Sequence, residues 1–225
     1  MKPRELIGTA QIPHGEELQL FRHDGDYIIL LGRNELMNSR VSGSEEALAK
    51  MTCERLRNED PHLLIGGYGM GFTIRAALAT LGPRARVTVV ELVPEIIEWA
   101  RGPMAALTAG CLDDPRVTLV IGDVGGSIRG RARYDAILLD VDNGPDGLTR
   151  ADNDQIYAGH GLAAAKAALK PGGTLAVWSA APDEKFARRL KHAGFNVEEV
   201  VVRARKGKGA RHVIWFAAAP DASAQ

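Results

Sequence analysis

At 225 residues and 45% hydrophobic content, the chain is long enough to bury one substantial core with a small additional unit. Its 28 basic and 28 acidic residues balance, so the charge gives no reason to expect a nucleic-acid or membrane partner. No apolar run approaches the roughly 18 residues of a membrane span, and the charged start MKPRELIG lacks the apolar centre of a signal peptide; together these predict a cytoplasmic protein. Cys53 and Cys111 lie far apart in no metal-type spacing and read as free thiols.

In chain order, Leu18 to Phe21 and Tyr27 to Leu31 are short apolar runs around HDGD, whose Asp24-Gly25 pair signals a hairpin. Ser42 with Glu45 fits a capping box, and Ala47, Leu48, Met51 and Leu56 fall roughly at helical spacing. A boundary at Pro61 gives the expected organisation: an N-terminal β-hairpin unit with a linking helix over 1–60, and a main domain over 61–225. From His62 onward, strands predicted at 62–66, 87–91, 117–121, 134–140 and 173–178 alternate with helices at 71–81, 94–101, 154–169 and 184–192. Pro103 should stop or bend the second helix, and Lys170-Pro-Gly-Gly173 should close the third of the long ones. Two more strands, 196–202 and 212–217, complete an antiparallel pair around a Gly-rich turn. Its cluster Arg203, Arg205, Lys206, Lys208 and Arg211 reads as a solvated face rather than a phosphate-binding patch. The pattern predicts an α/β fold with a Rossmann-like, mostly parallel seven-stranded sheet, helices on both faces, and a small N-terminal β unit.

The run HLLIGGYGMG, His62 to Gly71, carries the chemistry. Gly66, Gly67, Gly69 and Gly71 let the backbone turn sharply and approach a ligand closely, and the chain then continues as a helix. A strand-to-helix turn without a ligand also accounts for a glycine loop alone. Three acids at strand ends favour the binding site: Glu91, spaced to accept from both ribose hydroxyls; Asp123, beside Val124, suited to an exocyclic adenine amine; and Asp140 after the apolar run Ala136 to Leu139. In an open parallel sheet all of these point into one crevice. Asp142 and Asn143 lie just past that crevice, although Asn143-Gly144-Pro145 is also ordinary turn chemistry. Tyr157 and Trp178 either border an acceptor pocket or fill core. Of Glu35, Glu45 and Glu46, able to reach across from the N-terminal unit to a cationic acceptor, Glu46 is carried forward; glutamates in a helix's first turn also simply suit its dipole. The six histidines share no ligand spacing, so no metal is predicted.

The glycine loop IGGYGMG, with VVELVPE, DPRVTLVIGDV, YDAILLDVDNGP and LKPGGTLAVWS, resembles the class I S-adenosylmethionine-dependent transferases, and within them the spermidine synthase (polyamine aminopropyltransferase) family, over roughly residues 18 to 200. The resemblance implies that Glu91 holds the ribose, Asp123 the adenine amine, and the Gly66 to Gly71 loop the sulfonium side chain. It also implies that Asp140, with Asp142 as a second candidate, orients or deprotonates an attacking amine in a homodimeric enzyme acting on a small molecule.

Departures from the family pattern bear on the donor. The acid that such loops usually carry for the donor's amine is replaced by Gly69-Met70, and the D-x-x-D-P signature by DVDNGPD, which moves the second acid to Asp142 or Asp146. The tyrosine- and acid-bearing segments that grip a diamine have no clear substitute after Ser179. Loss of an acid facing the donor tail removes a repulsion against the carboxylate of intact S-adenosylmethionine, so the sequence favours methyl transfer to a small nucleophile. The alternatives are aminopropyl transfer from decarboxylated S-adenosylmethionine and a non-catalytic nucleoside-binding regulator.

Overall fold

Asp24 and Gly25 both adopt left-handed backbone, with φ of 50° and 88°, and turn the chain between two paired strands as the Asp-Gly signal predicts. The computed structural model describes residues 3–13, 15–141, 153–205 and 208–221. The hairpin is the centre of a four-stranded antiparallel meander, β1 (Glu5–Gln11), β2 (Glu17–His23), β3 (Asp26–Leu31) and β4 (Asn34–Asn38), paired in that order. The outer strands β1 and β4 escape sequence reading because neither alternates cleanly. A register shift between Leu6 and Gly8 breaks the period of β1, and β4 is short and polar at both ends. Leu18, Leu20, Ile29 and Leu31 point from this sheet into the main core. Gly8 lets α3 (Pro94–Arg101) approach, since a Cβ there would lie 2.8 Å from the Trp99 indole nitrogen. The Tyr27 hydroxyl also donates to the Pro103 carbonyl.

The linking helix α1 (Gly43–Glu54) buries Glu45, Leu48, Ala49 and Thr52, a stripe at helical spacing. Its predicted capping box does not form. Ser42 donates instead to the Glu46 carboxylate at 3.0 Å, which leaves the Glu45 side chain to turn inward.

The main sheet takes the order β10-β11-β9-β8-β5-β6-β7, from β5 (His62–Gly66), β6 (Arg86–Glu91), β7 (Val117–Ile121), β8 (Tyr134–Leu139), β9 (Leu169–Ser179), β10 (Asn196–Arg205) and β11 (Lys208–Ala218). The strands from β9 to β7 run parallel, and β11 is antiparallel to both β9 and β10. The intervening helices are α2 (Phe72–Thr80), α3, the short α4 (Ala105–Thr108) and α5 (Val124–Ser127), then α6 (Asn153–Tyr157), α7 (Gly159–Ala168) and α8 (Glu184–His192). Alternate strand residues feed two cores. Leu63, Ile65, Ala136 and Leu138 face α1 to α3 and the meander, while Leu64, Ile137, Leu139 and Trp215 face α7 and α8. Among the described residues, no helix is long and apolar enough to cross a membrane.

Two boundaries differ from expectation. The helix predicted over 154–169 is divided into α6 and α7, and Gly161 sits where a Cβ would run into the Gln155 and Ile156 carbonyls, so the two helices meet at a corner no larger residue fits. The Lys170-Pro-Gly-Gly173 stop is already strand: β9 begins at Leu169, and its register against β8 shifts between Tyr134 and Ala136.

The chain passes from β5 outward through β6 to β7 and then returns to β8 on the other side of β5. The β5–β8 gap is therefore the switch point where such sheets open a crevice. Phe186 anchors α8 to this sheet, fully buried with ring centroids 5.5 Å from Tyr157 and 5.0 Å from Trp215. Phe186→Ala is expected to lower stability by about 3–5 kcal/mol, and Val201→Ala on the exposed β10 by less than about 0.5 kcal/mol, in urea unfolding.

Candidate active site

At the end of β5 the glycine loop leaves the sheet. Gly67, Gly69 and Gly71 take φ of 84°, 53° and 76°, the left-handed region that side chains disfavour. Gly67 carries the tightest constraint, because a Cβ there would run into the main-chain carbonyl of Asp140. The Gly67 N–H donates to Val90 O at 2.9 Å and the Asp140 N–H to Gly66 O at 3.0 Å, so backbone bonds hold the ends of β5, β6 and β8 together. Over Gly69 sits Met37 of β4, whose sulfur would lie 2.7 Å from an added Cβ.

These elements enclose a pocket. Gly67, Gly69, Glu91, Asp123, Val124 and Asp140 line it, together with Trp178, and the meander roofs it with Ile12, Leu18, Ile29, Leu36 and Met37. Gly66 and Gly71 shape the loop from outside the lining. Gly66 packs against Val124, and Gly71 is the N-cap residue of α2.

Glu91 is buried and accepts from two backbone N–H groups, Tyr68 on one carboxylate oxygen and Val93 on the other, each at 2.9 Å. Burial raises its pKa, and these backbone donors oppose the rise. Asp123, at the exposed rim, caps α5 by accepting from Gly125 N at 2.6 Å. Asp140 accepts from the Thr73 hydroxyl at 2.5 Å, placing the first turn of α2 directly against it.

Glu45 is the residue that sequence reading passed over in favour of Glu46. Glu46 lies on the outer side of α1, bonded to Ser42 and paired with Lys50, and is absent from the lining. Glu45 is only 8% exposed and faces the pocket with Asp140. The stripe it shares with Leu48, Ala49 and Thr52 was the available signal; neighbouring residues in a helix point about 100° apart, so one glutamate buries and the next does not. Burial first, and the Asp140 charge second, push the Glu45 pKa upward. Burial likewise raises that of Asp140, with the Thr73 hydrogen bond opposing.

Of the remaining predicted residues, Trp178 lines the pocket at the end of β9, while Tyr157 is fully buried against Phe186 and does not. Asp142 and Asn143 lie outside the described residues. The meander roof was invisible to motif reading, because its apolar residues carry no signature apart from core packing.

A glycine loop at the switch point of a doubly wound sheet, with acids at the ends of successive parallel strands, defines an S-adenosylmethionine-dependent methyltransferase-like fold. Solved structures agree. A spermidine synthase from Thermotoga maritima superposes with a TM-score of 0.75 at 19% identity, covering 95% of this chain and 72% of that one. A probable spermidine synthase from Corynebacterium glutamicum gives 0.64 at 16% identity, covering 94% and 79%. Residues 42–192 match the spermine/spermidine synthase domain, and the chain belongs to that family. It is 36% identical over 124 residues to a polyamine aminopropyltransferase of Mycobacterium tuberculosis, covering 53% of this chain and 23% of that protein. It is 31% identical over 126 residues to one of Sulfolobus acidocaldarius, covering 55% and 40%. The match thus spans less than half the length of these curated relatives.

Two expectations follow from the geometry. Glu45 and Asp140 hold protons more tightly in the folded chain than in the unfolded one. Their contribution to stability is therefore full below the ordinary carboxylate range, about pH 4, and is lost as pH rises through their raised folded-state values. Urea midpoints should fall over that rise, and less steeply in Glu45→Gln; equal slopes would remove the pair. Gly67→Ala should cost about 1–3 kcal/mol in the same assay, from the left-handed backbone and the Asp140 contact.

Proposed function

We propose that this protein transfers an aminopropyl group from decarboxylated S-adenosylmethionine to a small amine. The observation that carries this reading is the sign of the pocket. Among the described lining residues there are four carboxylates, Glu45, Glu91, Asp123 and Asp140, and no lysine, arginine or histidine. Intact S-adenosylmethionine brings a carboxylate into a site that offers it no cationic partner, whereas the decarboxylated donor and an amine acceptor bring only positive or neutral groups.

The sequence argument for methyl transfer rested on the acid missing at Gly69-Met70. The structure supplies an acid to the same pocket from another element, Glu45 on α1, so that argument no longer favours the intact donor. Kinship with polyamine aminopropyltransferases supports the same choice.

The residues suit the chemistry. The attacking amine needs a free lone pair, and burial gives the Glu45–Asp140 pair a raised affinity for the proton it must shed. The nitrogen lone pair then forms the new N–C bond as the C–S bond breaks, leaving its electrons on sulfur as a neutral thioether. The apolar roof of Leu18, Ile29, Leu36 and Met37 excludes water around the sulfonium carbon. Glu91 and Asp123 would bind the nucleoside, and the Gly67 to Gly69 backbone the sulfonium chain, aligning donor and acceptor.

The test offers the purified protein each donor with a set of diamines and follows the thioether nucleoside by mass spectrometry. Turnover with the decarboxylated donor, and little with the intact one, is expected; turnover with the intact donor alone would overturn the reading. Asp140→Asn should lose about 10²–10⁴-fold in turnover while keeping donor affinity by calorimetry.

A further inference from the structure

A chain of hydrogen bonds runs from the pocket to the last strand of the sheet. The Ser44 hydroxyl, fully buried, lies 2.6 Å from Glu45 Oε2, and His212 Nδ1 of β11 lies 2.9 Å from Ser44 Oγ. None of the motifs read from the sequence includes Ser44 or His212. The His212 ring is half-buried, set edge-on against Trp178 with centroids 4.9 Å apart, and Trp178 itself lines the pocket.

We propose that Ser44 and His212 are positioning residues that fix the Glu45 carboxylate as the cation-holding group for the acceptor amine. The inference rests on the aminopropyl-transfer reading and deepens it.

The proton count gives the chain a direction. An ionised carboxylate only accepts, so the single Ser44 proton goes to Glu45, and Ser44 Oγ must then accept from His212. Burial lowers the His212 pKa and so favours the neutral ring, which donates to Ser44 as its Nδ1–H tautomer. Two aligned donors thus favour the ionised form of a carboxylate that burial disfavours, and they fix its rotamer. The Thr73 hydroxyl donates likewise to Asp140. A substrate ammonium entering between the two acids meets both carboxyl groups already oriented.

The fixed charges that act on Glu45 are like ones, Asp140 and more weakly Glu46, and both raise its proton affinity. Glu46, on the same helix, is turned outward onto Lys50, and Asp140 follows the end of β8. From α2, Arg75 is engaged with the Leu107 carbonyl. At β10 the backbone of Arg203 and Arg205 packs on Gly43, with both residues exposed, and β9 contributes the neutral Trp178.

The experiment compares Ser44→Ala, His212→Leu and His212→Asn, whose side-chain amide can replace the Nδ1–H donor. Ser44→Ala and His212→Leu should raise acceptor KM about tenfold, with donor affinity and kcat changed far less, and His212→Asn should restore KM. In the free protein, carbon NMR titration of the Glu45 carboxyl should show its midpoint moving up in the first two variants and returning in the third. That readout needs no turnover, so it remains decisive if no amine proves to be a substrate. An unmoved Glu45 midpoint, or equal losses of donor and acceptor affinity, would overturn the assignment. His212→Asn separates that result from misfolding of His212→Leu.

Discussion

The pocket depends on a backbone contact. β5 and β8 run parallel at the centre of the sheet, and beyond their last paired residues the Asp140 N–H still donates to Gly66 O while Gly67 lies under the Asp140 carbonyl. Only a residue without a Cβ permits that approach. From it follow the direction in which the glycine loop departs, the start of α2 at Phe72, and the reach of Thr73 to Asp140. A chain that ended its ladder one residue earlier would present the loop and the acid to different spaces.

On that frame the site is an apolar enclosure with acids set into it. Desolvation is the first cause of the raised proton affinity at Glu45, Asp140 and Glu91 alike, and each is opposed by hydrogen bonds of a different origin. Main-chain N–H groups serve Glu91, the Thr73 hydroxyl serves Asp140, and Ser44 serves Glu45. Buried charge without compensation is costly, so each partner is as much a part of the site as the carboxylate it serves. The roof comes from a separate sheet, which ties the pocket's apolar cover to the packing of the N-terminal meander on α3.

Much of this was legible in the residues. The Asp24-Gly25 turn, the strands ending at Gly66, Glu91, Ile121 and Leu139, and the acids at or just after those ends are local signals, and they place the fold and the acidic side of the pocket. β1 and β4 were not legible, since a bulge and short polar ends erase the period of two that marks a strand. The corner between α6 and α7 was missed because a helical pattern over 154–169 continues through Ala158 and Gly159, and only the packing of Gly161 on the preceding carbonyls shows the break.

The choice between Glu45 and Glu46 marks the limit most clearly. Both stand in the first turn of α1, both suit its dipole, and a capping box would occupy the wrong one. By itself the sequence determined a Rossmann-like α/β fold and the acids at its strand ends, because strand, turn and helix follow from periodicity and glycine placement over a few residues. The tertiary structure decided which glutamate enters the pocket, what roofs it, and that Ser44 and His212 stand behind Glu45. Those contacts join residues up to 168 positions apart in the chain, and only the packing of separate elements brings such groups within hydrogen-bond reach.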